Sequence, residues 1–547
     1  MFRLILVFLL FSNITFAQKL SRSDRELIKF LQTNVSFLAS DSLEGRRAGT
    51  NGEKLAADFI SKKFKEIGLF PKGSSDSYFQ PFTIIDGKKV GKNTALSINS
   101  QILIPEIDFF PLANSSNSSP IKTQISPSLT EKNQVWFLDL SDDLEENKTN
   151  PHFDINNLIQ SKIAKAKNKG ATALILYNSN SIDDKIKFDT KDRQEITSLP
   201  VLYVVKSAFL ENIKDLNATY DITYSIDIQP DIRNSKNVIG YINNNAPYTI
   251  VLGAHFDHLG YGEDGNSMIR TGEKLIHNGA DDNASGTSAL IELAFLLKKS
   301  KSKNFNYLFI AFSAEELGLN GSKYFVENPT IPLTSINYMI NMDMVGRMND
   351  STKAITVGGY GTSPSWSTLF NSIENKYFTI KFDSSGTGPS DHTSFYRKDI
   401  PVLFFFTGLH TDYHKPSDDA DKINYIGQLQ IVKFINQLIS TNKSNEKIVF
   451  TKTREQQTST SAKFSVSMGI MPDYTFSGNG VRVDGVSDNR PAKYAGLLAG
   501  DIVKQLGEYK TSSVEAYMQA LSKFKKGDKV IVIILRGIKE LEFQVNF

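Results

Sequence analysis

The sequence contains no cysteine, which excludes several kinds of site at once. Without cysteine there is no disulfide framework, no thiolate metal ligand and no lipid-modified N-terminal cysteine. Any metal ion must therefore be held by histidine and carboxylate side chains. Histidine is itself scarce, with seven in 547 residues, so the positions of those few side chains are informative.

Dense basic runs and long hydrophobic runs are also lacking. Lys and Arg number 62 against 59 Asp and Glu, and no basic cluster is typical of a nucleic-acid interface. The apolar run at residues 4–11 is shorter than the roughly 18 residues that span a bilayer, so we predict no transmembrane anchor. Followed by Thr15-Phe16-Ala17, this run is typical of a signal peptide over residues 1–17. We therefore expect export to the periplasm or the extracellular space.

Changes in patterning along the chain predict several domains. Helical spacing over residues 22–43 and 53–68 is followed by short strands and Ser/Asn-rich loops, and then by alternating strands and helices. The alternation predicts an α/β sheet with helices on both faces, interrupted by an inserted β-rich domain. The predicted segments after the signal peptide are an α/β domain in two parts (18–99 and 231–445), the insertion (100–230), a linker (446–462) and a C-terminal domain (463–547).

Six of the seven histidines lie between residues 255 and 414, interleaved with carboxylates that follow strand-like runs. His255 ends one such run, Glu315 and Glu316 follow another, and Asp343 follows a third. Asp282 lies in a Gly-rich loop before a helical run. Because open α/β sheets form their ligand crevice at the carboxyl ends of the strands, we expect these side chains to converge on one cleft.

The strings GAHFDHLG, NGADDNASG, SAEELGLNGS, NMDMVGR, PSDHTSF and TDYHKPSD resemble, in order and spacing, the motifs of the double-zinc aminopeptidase family. The resemblance covers roughly residues 41–441 apart from the insertion, and the wider family includes glutamate carboxypeptidase II. It implies an α/β fold with a mixed, mostly parallel central sheet, helices on both faces, and two zinc ions per chain.

By this resemblance, five side chains would hold the metals. His255 and Asp343 would bind one zinc, Glu316 and His414 would bind the other, and Asp282 would bridge the two. One histidine and one carboxylate per metal, with a shared carboxylate, leave an open position for water. Such a pair of metals lowers the pKa of bound water, so that hydroxide exists near neutral pH.

Three further residues would act with this hydroxide. By the resemblance, Glu315 is the general base that takes a proton from water and passes it to the leaving amine. Asp257 would orient the imidazole of His255, and Tyr413 would donate a hydrogen bond to the oxyanion. The implied activity is a secreted aminopeptidase that hydrolyses N-terminal residues from peptides. Two alternatives stay open: a carboxypeptidase of the same fold, and a non-catalytic peptide-binding or receptor-like protein.

Several nearby side chains stay outside the predicted ligand set. His258 is predicted to line the cleft, Asp391 to orient or support, and Asp281 to shape its turn. The remaining histidines of this region that are not assigned as ligands are His277, His392 and His410.

The flanking regions resemble two accessory modules. The passage KIAKAKNKGATALILYN resembles the protease-associated domain that is often inserted in this family. The Gly-rich C-terminal region resembles the PDZ domains of exported bacterial proteases. Such a domain can bind a peptide or protein C-terminus on the backbone at Gly469, Ile470 and Met471, and the alternative that it only braces the enzyme stays open.

Overall fold

The computed structural model describes residues 20–150, 153–190, 192, 196–269, 273–453, 466–472, 479–486, 490–512, 514–537 and 539–547. The predicted signal peptide lies outside these residues. Within them, no helix combines the length and apolar character needed to cross a membrane. The chain divides into two compact units, one formed by Met1–Phe82 with Ser235–Phe547 and the other by Thr83–Asn234.

The elements alternate between helix and strand through most of the chain. The described α-helices are α1 (Arg22–Leu38), α2 (Asn51–Ile67), α3 (Ser141–Asn147), α4 (Ile155–Asn168), α5 (Lys206–Asn212), α6 (Gly286–Lys299), α7 (Asn320–Glu327), α8 (Ser365–Asn371), α9 (His392–Tyr396), α10 (Tyr425–Thr441), α11 (Pro491–Ala495) and α12 (Val514–Leu521). The described strands are β1 (Phe70–Pro71), β2 (Phe79–Val90), β3 (Ala95–Ile98), β4 (Gln101–Leu103), β5 (Phe109–Pro111), β6 (Ser118–Ile125), β7 (Val135–Asp139), β8 (Ala173–Tyr177), β9 (Val201–Val204), β10 (Tyr220–Ile226), β11 (Ile228–Ile242), β12 (Thr249–His255), β13 (Asn306–Phe312), β14 (Ile336–Met342), β15 (Ala354–Gly358), β16 (Thr379–Phe382), β17 (Val402–Phe406), β18 (Ile470–Pro472), β19 (Val481–Val486), β20 (Ile502–Leu506), β21 (Tyr509–Lys510), β22 (Lys529–Arg536) and β23 (Lys539–Asn546).

The central sheet of the first unit has nine strands in the order β1-β11-β13-β12-β14-β17-β15-β16, with β2 also paired to β11. The pairs β13/β12, β12/β14 and β14/β17 are parallel, and β11/β13 and β17/β15 are antiparallel. The predicted mixed and mostly parallel sheet is therefore confirmed.

Helices cover both faces of this sheet. Alternate residues of β12 and β13 enter two separate cores, because successive side chains of a strand point to opposite faces. Leu252 and Phe309 lie in the core shared with α2, α6 and α10, while Val251 and Ile310 lie in the core shared with α7 and α9. Burial on both faces explains why every residue of β12, β13 and β14 is buried.

The second unit, Thr83–Asn234, contains two four-stranded sheets, β4-β3-β10-β6 and β5-β9-β8-β7. The chain leaves and re-enters the first unit at adjacent positions. The amide of Ile239 donates to the carbonyl of Tyr78 at 2.7 Å, and Asn237 donates to the side chain of Gln80 at 3.0 Å. The domain boundaries and the likeness to a protease-associated domain stay predictions.

The C-terminal region forms a six-stranded sheet in the order β18-β19-β20-β22-β23, with β21 paired to β20. Its core is made by apolar residues of these strands and of α12, among them Val503, Val532 and Tyr517. Gly469 adopts a φ of 81°, a left-handed conformation that favours glycine, and β18 follows it at one edge of the sheet. Gly469, Ile470 and Met471, the residues predicted to bind a peptide, thus lie where the chain enters an edge strand.

Glu292 on α6 gives a stability prediction. The residue is fully buried, and neither carboxyl oxygen has a hydrogen-bond partner among the described residues. Burial raises its pKa from 4.5 to about 8, and Lys299 offsets this only in part. The folded protein then keeps a proton that the unfolded chain has released, so stability falls as the pH rises from about 4.5 to 8. Glu292→Gln removes this titration, and we expect its Tm to exceed that of the wild type by roughly 3 to 8 °C at pH 8 but to match it near pH 4.5.

Calorimetry of the variant and the wild type at both pH values measures this difference, with Glu26→Gln on the exposed face of α1 as the matched control. A Tm difference that is the same at pH 4.5 and pH 8 would contradict the assignment of the titrating group.

Candidate metal centre

The ends of parallel neighbouring strands place four carboxylate or imidazole groups at one edge of the sheet. His255 is the last residue of β12, Asp343 directly follows β14, and Glu315 and Glu316 follow β13 after a short turn. That turn includes Ala314 at a φ of 56°. Because β13, β12 and β14 are adjacent and parallel, their carboxyl ends lie side by side. The predicted residues at the strand ends are thus brought together by the sheet itself.

Asp282 enters the same edge from the turn that precedes α6. Asn283 fixes this turn, since its side chain donates to the carbonyl of Met342 at 3.0 Å and accepts from the amide of Met344 at 3.2 Å. The carboxylate of Asp418 accepts from the amides of Asp281 and Asp282 at 2.9 and 3.1 Å. These contacts hold the backbone of Asp282 beside the end of β14.

The two oxygens of Asp282 face two different groups of side chains. Oδ1 lies 3.4 Å from Nε2 of His255, which is itself 3.3 Å from Oδ1 of Asp343. Oδ2 lies 3.2 Å from Nε2 of His414, which is 3.3 Å from Oε2 of Glu316. The arrangement therefore contains two clusters of one histidine and one carboxylate each, joined by a single carboxylate.

The separations fit metal coordination. Ligand atoms at the corners of a tetrahedron about 2.0 to 2.1 Å from zinc are roughly 3.3 Å apart. The atoms of His255, Asp282 and Asp343 also lie within 4.8 Å of one another. Nitrogen and carboxylate donors of this kind suit zinc. The predicted ligands therefore fit the predicted metal.

Outer contacts orient these ligands. Nδ1 of His414 lies 3.0 Å from the carbonyl of Asn266, which leaves Nε2 facing Asp282 and Glu316. Ser390 donates to Oδ2 of Asp343 at 2.8 Å. Such contacts fix the tautomer and the rotamer of a ligand before any metal is bound.

Asp257 contacts both the imidazole of His255 and the backbone of the two glutamates. Its carboxylate accepts from the amides of Glu315 and Glu316 at 3.1 and 3.4 Å. Nδ1 of His255 lies 3.2 Å from the carbonyl of Asp257 and 3.6 Å from its Oδ1. The residue thus holds the backbone of the two glutamates, and both its carbonyl and its carboxylate face Nδ1 of His255. Its role in orienting that imidazole stays a prediction.

Burial and close charges shift the pKa values of the cluster. Although burial alone would raise it, the imidazoles of His255 and His414 hold the pKa of Asp282 well below its usual value. Burial alone would also raise the pKa of Glu316, but the charge of His414 lowers it to about 2. The pKa of Asp343 is shifted in the opposite direction, because burial raises it more than His255 lowers it. The bridging carboxylate and Glu316 are therefore ionised at neutral pH, as metal ligands must be.

Glu315 and Tyr413, the other predicted catalytic residues, lie beside the cluster. Burial, together with the charges of Asp343 and Glu316, raises the pKa of Glu315 well above its usual value. Burial and the charges of Asp282 and Glu316 also raise the pKa of Tyr413, so its hydroxyl keeps its proton at neutral pH. The ring of Tyr413 stacks on that of His414 with centroids 3.9 Å apart.

His258 lies closer to the ligands than its prediction as a cleft-lining residue implies. It is buried, with Nδ1 2.9 Å from Oε1 of Glu316 and 4.0 Å from Oδ1 of Asp282. The potential ligand atoms of His258, Asp282 and Glu316 lie within 4.8 Å of one another, as do those of His255, Asp282 and Asp343. The only sequence signal that His258 could act as a metal ligand was its position three residues after His255.

The other histidines left out of the ligand set have local partners. His277 lies 2.8 Å from the hydroxyl of Ser267, and His410 lies 3.2 Å from Asp281. His392 stacks on Phe404, with ring centroids 4.5 Å apart. Asp391 is fully buried, and burial raises its pKa to about 7.

Comparisons with known proteins find a peptidase family, a PDZ domain and several aminopeptidases. Residues 237–439 match the model of peptidase family M28, and residues 455–547 match that of the PDZ domain. Aminopeptidase YwaD of Bacillus subtilis (strain 168) is 27% identical over 428 residues, which cover 75% of this chain and 84% of the relative. Leupeptin-inactivating enzyme 1 of Streptomyces exfoliatus is 33% identical over 171 residues, which cover 29% of this chain and 37% of the relative. The solved structure of BSAP, a zinc aminopeptidase from Bacillus subtilis, aligns with a TM-score of 0.44 and 21% identity over 77% of this chain and 98% of that one.

Proposed function

We propose that this chain, with its peptidase family M28 domain and C-terminal PDZ domain, is a two-zinc aminopeptidase that removes N-terminal residues from peptides. The observation that carries the proposal is the position of Asp282. Its two oxygens lie 3.4 Å from His255 and 3.2 Å from His414, and each histidine has its own carboxylate partner. This arrangement supports two metal ions that share one ligand.

The ligand count supports a catalytic centre. Three protein ligands per metal leave a coordination position for water or substrate, whereas structural zinc sites are closed by four protein ligands. When bound, the two zinc ions supply a nucleophilic water at neutral pH and polarise the scissile carbonyl. His255, Asp282 and Asp343 would hold one ion, and Asp282, Glu316 and His414 the other.

In this proposal Glu315 moves the proton. Its raised pKa allows the carboxylate to take a proton from the attacking water and to keep it until the leaving amine accepts it. Asp257 fixes the backbone of Glu315 through the amide hydrogen bond of 3.1 Å. The hydroxyl of Tyr413 would stabilise the oxyanion of the tetrahedral intermediate.

The accessory regions extend the proposal beyond the metal centre. Residues 1–17 would direct the protein out of the cytoplasm. The edge strand that begins at Ile470 would accept an extended peptide segment, with the amides around Gly469 holding its terminal carboxylate. The insertion at Thr83–Asn234 would be the protease-associated domain.

The test uses purified protein lacking residues 1–17 and a panel of aminoacyl chromogenic amides, each paired with its N-acetylated form. We expect two zinc ions per chain by metal analysis and hydrolysis of the free-amine substrates alone. Chelation is expected to abolish the activity and added zinc to restore it, because the nucleophile depends on the metals.

Equal cleavage of the acetylated substrates would contradict the aminopeptidase assignment. Release of C-terminal residues from peptides would instead support a carboxypeptidase. Folded protein with two zinc ions and no turnover of any substrate would favour a binding role.

A further inference from the structure

Arg46 is a fully buried arginine in the loop that joins α1 to α2. It belongs to the string LEGRRAG, whose charges, judged from the sequence alone, suit a cleft and a solvated surface equally. The structure places Arg46 at 0% exposure, whereas arginine is almost never fully buried unless its charge is paired. A buried guanidinium needs a structural or functional reason.

The guanidinium of Arg46 donates to four backbone carbonyls from three parts of the chain. Nε donates to Phe256 at 2.8 Å, and Nη2 donates to Gly279 at 3.0 Å. Nη1 donates to Asn278 at 2.6 Å and also to Leu38. Phe256 lies between His255 and Asp257, and Gly279 lies three residues before Asp282. The side chain therefore joins the two loops that carry the first metal ligand and the bridging ligand.

The backbone around Arg46 reinforces this connection. The carbonyl of Arg46 accepts from the amide of His258 at 3.2 Å, and that of Gly45 accepts from Gly260 at 3.0 Å. A side chain at Gly45 would clash, because its Cβ would lie 2.6 Å from the carbonyl oxygens of Gly260 and His277. The segment is thus packed against both ligand loops and held there by main-chain and side-chain bonds.

The positive charge of Arg46 is balanced by carboxylates in and beside the metal centre. The four carbonyls that accept from its guanidinium are neutral, so the opposite charge comes from carboxylates farther away. Burial lowers the pKa of Arg46 to about 10, and the charges of Asp257, Asp282 and Glu316 act against that change. Arg46 remains protonated at neutral pH and offsets the repulsion among carboxylates that must lie close together to bind metal.

We infer that Arg46 is a positioning residue for the metal centre: it holds the His255 loop and the Asp282 loop at their binding separation before metal arrives, and so sets the affinity for zinc. This inference rests on the proposed function. Arginine suits the role because its planar fork presents five N–H donors, whereas lysine offers three donors at one nitrogen and cannot reach acceptors on three sides.

The test compares Arg46→Lys, which keeps the charge, and Arg46→Met, which keeps neither charge nor donors, with the wild type. The matched control is Arg25→Met, since the guanidinium of Arg25 also donates to a backbone carbonyl, that of Leu20 at 2.7 Å, but is exposed. Zinc affinity is measured by competition with a chelator, and Tm is measured for zinc-loaded and metal-free protein. We expect both Arg46 variants to bind zinc about 10- to 100-fold more weakly than the wild type and the control.

The two Tm values separate positioning from general stability. A merely structural role lowers the Tm of both forms equally, whereas weaker zinc binding narrows the difference between them. Zinc affinity within twofold of the wild type in folded Arg46→Lys and Arg46→Met would overturn the inference. Wild-type protein that binds no zinc would instead overturn the proposed function.

Hydrogen exchange on the wild type tests the inference even if both variants fail to fold. Because Arg46 is expected to order the loops without metal, the amides of His258, Gly260 and Asp282 should stay protected after chelation. Exchange of these amides at the rate of an unfolded peptide would show that the metal, and not Arg46, organises the site.

Discussion

Glu315→Gln is expected to lower kcat for aminoacyl amides by about 100- to 10,000-fold while both zinc ions stay bound. Glutamine keeps the size and the hydrogen-bonding ability of the side chain but cannot take a proton from water. Glu315 is outside the ligand set, and its backbone is fixed by Asp257 through a 3.1 Å hydrogen bond, so the metal centre should be preserved. Steady-state kinetics with metal analysis of the same preparation measures both quantities.

The matched control for this change is Glu327→Gln at the exposed end of α7. The control should keep the wild-type kcat and the wild-type zinc content. Activity above one tenth of the wild type in Glu315→Gln would assign the proton transfer to another group. Loss of zinc from Glu315→Gln would show instead that this carboxylate is a ligand.

Asp282→Asn is expected to have the second large effect, because a single change touches both clusters. Neutral asparagine offers one oxygen where the carboxylate presents two, and it removes the charge that both His255 and His414 face. We expect the zinc content to fall from two ions to one or fewer per chain and kcat/KM to fall by at least about 1000-fold. Titration with zinc, followed by activity at each metal ratio, separates the loss of binding from the loss of rate.

An exposed aspartate in the first turn of α3, changed as Asp142→Asn, serves as the control for this experiment. Retention of two tightly bound zinc ions by Asp282→Asn would show that the two clusters do not share this residue. In that case His258, which lies 2.9 Å from Glu316, would be the next candidate ligand to change.

The strand ends were predictable from sequence because the signal is local. His255, Glu316 and Asp343 each lie at or shortly after the end of a mostly apolar run, and a parallel sheet places the carboxyl ends of such runs at one edge. The strand order itself, in which β12 lies between β13 and β14, depends on contacts between distant segments. The position of the site could therefore be predicted, whereas the contacts that hold it could not.

Arg46 and Asp418 show why those contacts were missed. Arg46 bonds to residues 210 and 233 positions away, and neither its neighbours nor its spacing indicates burial. Asp418 supports the turn of Asp282 across 136 positions. In both cases the partner is a backbone group, which every residue possesses and which therefore leaves no mark in the sequence.

The adjacency of Tyr78 and Ile239 changes how the long insertion should be viewed. In the sequence, Thr83–Asn234 lies between the first two helices and the predicted metal ligands. In the fold, the segments on either side of it are neighbours joined by a hydrogen bond. Because the insertion begins and ends at neighbouring positions, it can close its loop within its own fold. It therefore adds little entropic cost to the folding of the first unit. Within the first unit, the two ends of the insertion are therefore separated only by the spacing of two neighbouring strands.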